Sequence, residues 1–289
     1  MSWVDLQRHA DAVLASGLRD LLGQPPTAWG PVDLHTAGVY VFSDADATGY
    51  VGESISVSWR VGQHRDPESR FMIGLGATGI VNPLGHAASR LSIRHLAVDI
   101  GRLELEEFAI ACHRPTANVM RRNSRVALAY ADADTALWRA VQGDSGRLLV
   151  EGVRAAQDVA PVRWAAMRPP AGAGLYILSG ADGQALYVGE TDAMGERLRT
   201  HAGSRSYFSA LRRHVGAELL GLAFAPNVRR GFSPADEARI SAYLETCSMA
   251  IMPLTFGRWE LERELVHEMH PVLNREHAQP MIGSGGGPE

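Results

Sequence analysis

The chain contains no lysine: all 28 of its basic residues are arginine, set against 32 acids for a net charge of -4 and a pI near 6.3. It therefore lacks the cationic excess that draws many proteins to a polyanion, and any affinity for phosphate must come from local clusters. Cysteine is scarce. Cys112 and Cys247 lie far apart in apolar sequence and belong to no metal-type pair, which points to buried free thiols. No run of about 18 apolar residues occurs, and no charged segment leads into an apolar one, so neither a membrane span nor a signal peptide is expected. A soluble, cytoplasmic protein with no membrane partner follows from that pattern. At 289 residues with 46% hydrophobic content, the chain is long enough for two domains with ordinary cores.

What is present is a sparse pattern that occurs twice. The first copy runs Gly38-Val39-Tyr40, Tyr50-Val51-Gly52, Arg60, His64, Glu106, Pro115, Asn118; the second runs Gly174-Leu175-Tyr176, Tyr187-Val188-Gly189, Arg197, His201, Glu262, Pro271, Asn274. In both, glycine to arginine is eight residues, arginine to histidine four, glutamate to proline nine and glutamate to asparagine twelve. Repeated spacings of this kind signal a duplicated unit. The copies differ by about 19 extra residues between arginine and glutamate in the second, an insertion that includes the basic loop Asn227-Val228-Arg229-Arg230-Gly231 and a helical run near Pro234 to Leu244. Inserted loops often carry recognition.

The coarse outline is the same in each copy. Residues 2–22 have apolar positions at helical spacing, stopped by Pro25-Pro26. Two β-prone runs flank Asp44-Ala45-Asp46-Ala47-Thr48 in the first copy and Gly180-Ala181-Asp182-Gly183 in the second, which predicts hairpins. A helical segment then puts Arg60 with His64, or Arg197 with His201, on one face. Leu91–Val98 and Met249–Phe256 read as strands, each before a helix, 102–113 and 258–269, that should stop short of its proline. The expected class is α+β, of the α/β sandwich type, with two small, mainly antiparallel sheets flanked by helices. Expected boundaries are 1–125 for the N-terminal helix with the first domain, 126–172 for a helical connector holding 135–141 and 148–156, 173–280 for the second domain, and 281–289 for a disordered glycine-rich tail.

These residue types fit phosphodiester hydrolysis. A single helix carboxylate, Glu106 or Glu262, can hold one Mg²⁺ or Mn²⁺ that keeps most of its waters. Arg60 and Arg197 suit non-bridging phosphate oxygens. Tyr40, Tyr50, Tyr176 and Tyr187 offer hydroxyls that orient or deprotonate water with help from nearby charge, while His64 and His201 are auxiliary bases or phosphate donors. Asn118 and Asn274 suit a structural role, hydrogen-bonding backbone at a helix exit.

Taken over residues 38–118 and 174–274, the pattern resembles the GIY-YIG endonuclease family, in two tandem copies. The resemblance implies a sheet-and-helix domain that uses one divalent metal to hydrolyse DNA, in repair, restriction or mobile elements. It assigns Tyr40 and Tyr176 to the first motif, Tyr50 and Tyr187 to the second, Arg60 and Arg197 to the family arginine, and Glu106 and Glu262 to the metal-binding glutamate. Val39, Leu175, Val51 and Val188 stand where the family name has isoleucine, and acidic Glu53 and Glu190 follow the motif glycines. The first copy continues as Asp66-Pro67-Glu68, where the second offers Arg205, Arg212 and Arg213, so substrate binding through these and through Arg229 and Arg230 favours the second copy as the working site. Two sites in one chain would act as a pseudo-dimer on DNA. A second reading is a non-nuclease use of the fold, as a binding module or an enzyme acting on a small molecule, supported by the acidic charge and by the lack of an attached recognition domain.

Overall fold

Strand β2 (Gly38–Asp44) has no polar face: its first six residues are all buried, as expected for a central strand covered on both sides. It pairs antiparallel with β3 (Ala47–Ser54) and with β4 (Leu91–Ala97), and a two-residue β1 (Thr27–Ala28) completes the order β1-β4-β2-β3. The computed structural model describes residues 1–30, 32–44, 47–66, 68–69, 71–72, 91–118, 125–226 and 231–274. Arg229, Arg230, the tip of the first hairpin and the expected 281–289 tail lie outside these residues.

A second four-stranded sheet has the equivalent order, with β5 (Val162–Arg163), β6 (Gly174–Ser179), β7 (Ala185–Thr191) and β8 (Ser248–Pro253) running β5-β8-β6-β7. The register repeats as well. Tyr40 sits opposite Gly52 and His95, Tyr176 opposite Gly189 and Ile251, and each hairpin shifts register after the second residue beyond its tyrosine, at Phe42/Ser43 and at Leu178/Ser179. Helices on small antiparallel sheets make the class α+β.

The chain divides into two compact units, Met1–Leu148 and Leu149–Glu289, the division falling inside the stretch expected as a connector. In the first, the N-terminal segment forms two helices rather than one, α1 (Trp3–Arg8) and α2 (Ala10–Gly23), separated at His9. Ser2 caps the first through a reciprocal bond with Asp5. Helix α3 (Val57–His64) follows the hairpin and α4 (Arg102–His113) follows β4. Helix α5 (Thr135–Gly143) belongs to this unit, because Trp138 seats its ring on Gly17 of α2, where a Cβ would come within 2.5 Å of it. Its core gathers Tyr40, Phe42, Val57, Val61, Phe71 and Ile93. Helix α6 (Ser145–Gln157) spans the division.

The second unit places α7 (Met194–Ala202) after its hairpin. The longer stretch between α7 and β8 then supplies α8 (Ala210–His214), which runs on as a wider π-type turn over Val215–Leu219, and α9 (Pro234–Glu245), capped by Ser233. Helix α10 (Arg258–Met269) follows β8. Helices α4 and α10 share their ends. Each enters through a left-handed glycine, Gly101 or Gly257, and each stops at a left-handed residue, Arg114 (φ 46°) or His270 (φ 47°), directly before a proline that forbids another helical step. Among the described residues no helix is long and apolar enough to cross a membrane.

Candidate active site

The candidate side chains of the second unit come from four elements, strands β6 and β7 of the hairpin and helices α7 and α10. Tyr176 lies on the central strand and is fully buried. Its ring rests on Gly189 across the hairpin, where a Cβ would stand 2.5 Å from the ring carbon that bears the hydroxyl. That glycine is required by close approach. Helix α7 projects Arg197 and His201 toward the same hydroxyl: His201 Nε2 is 2.8 Å from Tyr176 Oη, and Arg197 Nε donates to that oxygen at 3.4 Å. Tyr187, on the edge strand, has its ring centroid 6.0 Å from that of Tyr176 and keeps some exposure to solvent. Glu262, one turn into α10, is 8% exposed and lies close enough to act electrostatically on both tyrosines.

Burial dominates the electrostatics. It pushes the Tyr176 hydroxyl far above the usual tyrosine range, with neighbouring Tyr187 adding and Arg197 opposing, and it raises Tyr187 with Glu262 adding. Both tyrosines are neutral hydrogen-bonding groups near neutral pH. His201 is pushed down to about 3 by burial and by the cations Arg197 and Arg212. Burial and the nearby Glu190 carboxylate push Glu262 up to about 8, although the Glu190 backbone hydrogen bond and Arg197 act the other way.

Tyr40, Tyr50, Arg60, His64 and Glu106 come together in the same manner in the first unit. Tyr40 Oη is 2.7 Å from His64 Nε2, the Tyr40 ring covers Gly52, and Arg60 and Glu106 both act on Tyr40 and Tyr50. Two differences separate the units. Arg60 is exposed and its Nη1 donates to Gln63 Oε1 at 3.0 Å, whereas Arg197 is half-buried against Tyr176. Phe71 also packs 4.3 Å from the His64 ring and 4.9 Å from Tyr50, and is itself buried. At the other imidazole, Ser209 Oγ lies 2.8 Å from His201 Nδ1.

Asn118 and Asn274 serve the sheet. The Oδ1 of each accepts the backbone N–H of Val51 or Val188, and Nδ2 donates to the same residue's carbonyl, at 2.7–2.8 Å. Each asparagine thus stands in for a missing neighbour on the edge strand.

Several expectations need correction. His201 has both ring nitrogens engaged and no exposure, so it has no donor left for a phosphate. Arg212 cannot reach DNA: it is buried, and its Nη2 donates to Glu237 Oε2 at 2.9 Å. Arg213 is half-buried and donates to the backbone carbonyls of Ser206 and Tyr207. Among the described members of that arginine group, only Arg205 is exposed. Glu53 and Glu190, which looked like acidic departures, form ion pairs with the buried Arg102 and Arg258. Sequence reading missed those two arginines, although each precedes its helix glutamate by four residues in both copies. It also missed Ser209, which no spacing marks.

The second unit, with this geometry, has a counterpart among known families. Residues 175–283 match the GIY-YIG catalytic domain. The GIY-YIG match covers Tyr176, Tyr187, Arg197, His201 and Glu262, and it supports nuclease activity on DNA for the unit that carries it. No curated protein and no solved structure matches the chain.

Proposed function

We propose that the second unit is a divalent-metal-dependent endonuclease that cleaves DNA phosphodiester bonds, and that the first unit is a second copy of the same fold whose site does not cut. The convergence of Tyr176, Tyr187, Arg197 and Glu262 within the GIY-YIG match carries this reading.

Glu262 fits the role of metal ligand. Its carboxyl is buried and holds a proton to about pH 8, and a divalent cation at that position would relieve the same desolvation while displacing the proton. A magnesium-like ion keeps most of its waters and shares the substrate phosphate, so a single carboxylate such as Glu262 suffices as its protein ligand. Such an ion, held by Glu262, would supply positive charge to the phosphate and polarise water. The chain's own groups do the rest. Arg197 presents its guanidinium to non-bridging oxygens while its Nε stays on Tyr176. Neutral His201, braced by Ser209, fixes the Tyr176 hydroxyl, and the less buried Tyr187 is the tyrosine that water or phosphate meets first.

Support for a silent first site comes from Phe71, whose ring occupies the neighbourhood of His64 and Tyr50. Supercoiled plasmid incubated with Mg²⁺ or Mn²⁺ should be nicked by the native chain, nicked within about two-fold of that rate by Glu106→Ala, and left intact by Glu262→Ala. Equal loss in both variants would restore two working sites, and no cleavage of any DNA form by folded protein would remove the nuclease reading.

A further inference from the structure

In the second unit a partly open cavity of about 730 Å³ lies between residues 204–208 and 231–241, and none of Tyr176, Tyr187, Arg197, His201 or Glu262 is among its described lining residues. Its walls include Tyr207, Phe208, Phe232 and Ala238, with Arg205 at the edge and Glu237 below. Two of the aromatics are unusually exposed for their size: Tyr207 at 44% and Phe208 at 64%, their rings meeting edge to face at 4.7 Å. Phe232 is buried and stacks on the half-exposed Phe224 at 4.8 Å, 24° from parallel.

The one acid among the described wall residues is paired. Glu237 Oε1 accepts the Ser206 backbone N–H at 2.7 Å, and Oε2 accepts both Ser206 Oγ and Arg212 Nη2 at 2.9 Å. Among the described residues, the exposed charge at the mouth is the cation of Arg205. An apolar slot with accessible ring faces and a cationic rim suits a nucleobase whose phosphate stays outside. The position also fits. Tyr207 and Phe208 sit in the short turn Ser206–Phe208, and the next residue, Ser209, bonds His201 beside Tyr176. One chain segment therefore joins the cavity wall to the proposed cleavage site.

We infer that this aromatic cavity receives an unpaired nucleobase, so that the DNA handled by the second unit is single-stranded or carries an unpaired nucleotide next to the cut. This rests on the nuclease reading for its purpose but not for its test, because binding is measured without cleavage. Fluorescence anisotropy in EDTA, with the full chain and a labelled single strand or a blunt duplex of the same sequence, should show the single strand binding more tightly. Phe208→Ala should weaken single-strand binding about ten-fold or more and leave duplex binding within two-fold, while Phe208→Tyr should retain it. Arg205→Ala should weaken it and flatten its salt dependence. Equal affinity for the two DNA forms, or equal loss on both in Phe208→Ala, would overturn the inference. So would a Phe208→Ala variant that loses only self-association by sedimentation, since the cavity would then seat a second copy of the chain. Single-strand binding through Phe208 by a chain that cuts no DNA would uphold the cavity and remove the nuclease reading; cutting without single-strand preference would do the reverse.

Discussion

Acid should destabilise the second unit through one imidazole. His201 is fully buried between Tyr176 Oη and Ser209 Oγ and is held neutral down to about pH 3. In the unfolded chain a histidine protonates near 6.5. Between those values the unfolded state binds the extra proton, so stability is fully present above about pH 6.5 and drains away as pH falls toward 3. One pH unit across that window is worth about 1.4 kcal/mol, so moving from pH 7.5 to 5 removes about 2 kcal/mol through this residue alone. Urea unfolding of the native chain and of His201→Gln at both pH values isolates the effect. The variant is the less stable protein at pH 7.5, and the gap should narrow by about 2 kcal/mol at pH 5. Direct observation of the His201 ring by nitrogen-15 NMR should show no protonation at pH 5. A ring that titrates near 6.5, or a gap that does not change with pH, would refute the picture of a neutral imidazole locked in the core. His64, pushed down to about 4 by burial and Arg60, should behave similarly in the first unit.

Gly189→Ala should destabilise the second unit by about 1–3 kcal/mol in thermal or urea unfolding and reduce cleavage, because the new methyl would meet the Tyr176 ring at 2.5 Å. Asn274→Ala removes the partners of both backbone groups of Val188, and about 1–3 kcal/mol of stability should go with them; accelerated amide exchange at Val188 would report it, and unchanged exchange would argue against the edge-strand role. Tyr176→Phe strips the His201 Nε2 partner and should lower plasmid nicking by about 100-fold while costing about 1–3 kcal/mol, a split that separates its proposed chemistry from its packing. Phe71→Ala opens a gap beside His64 and should destabilise the first unit by about 3–5 kcal/mol without adding cleavage.

Sequence alone determined the parts of this protein that depend on neighbours along the chain. Hairpins, the paired Arg–His face at four-residue spacing, and helices 102–113 and 258–269 that halt before proline all follow from local preference, and the repetition of their spacing made two sheets expected before any contact was known. The gathering of Tyr176, Tyr187, Arg197 and Glu262 was anticipated only because the same residues recur in order, since spacing says nothing of distance across a sheet. Tertiary structure decided everything that depends on burial and on partners far away in sequence. Arg212 looked like a phosphate ligand until Glu237, 25 residues on, took its charge into the core. Glu53 and Glu190 read as acidic departures from the family motif until buried arginines claimed them. Phe71 over His64, Ser209 against His201 and the cavity behind Phe208 had no periodic signature. Each arises where a loop returns to a packed surface, and solvation decides there whether a charge or ring is spent on the protein or left for a ligand.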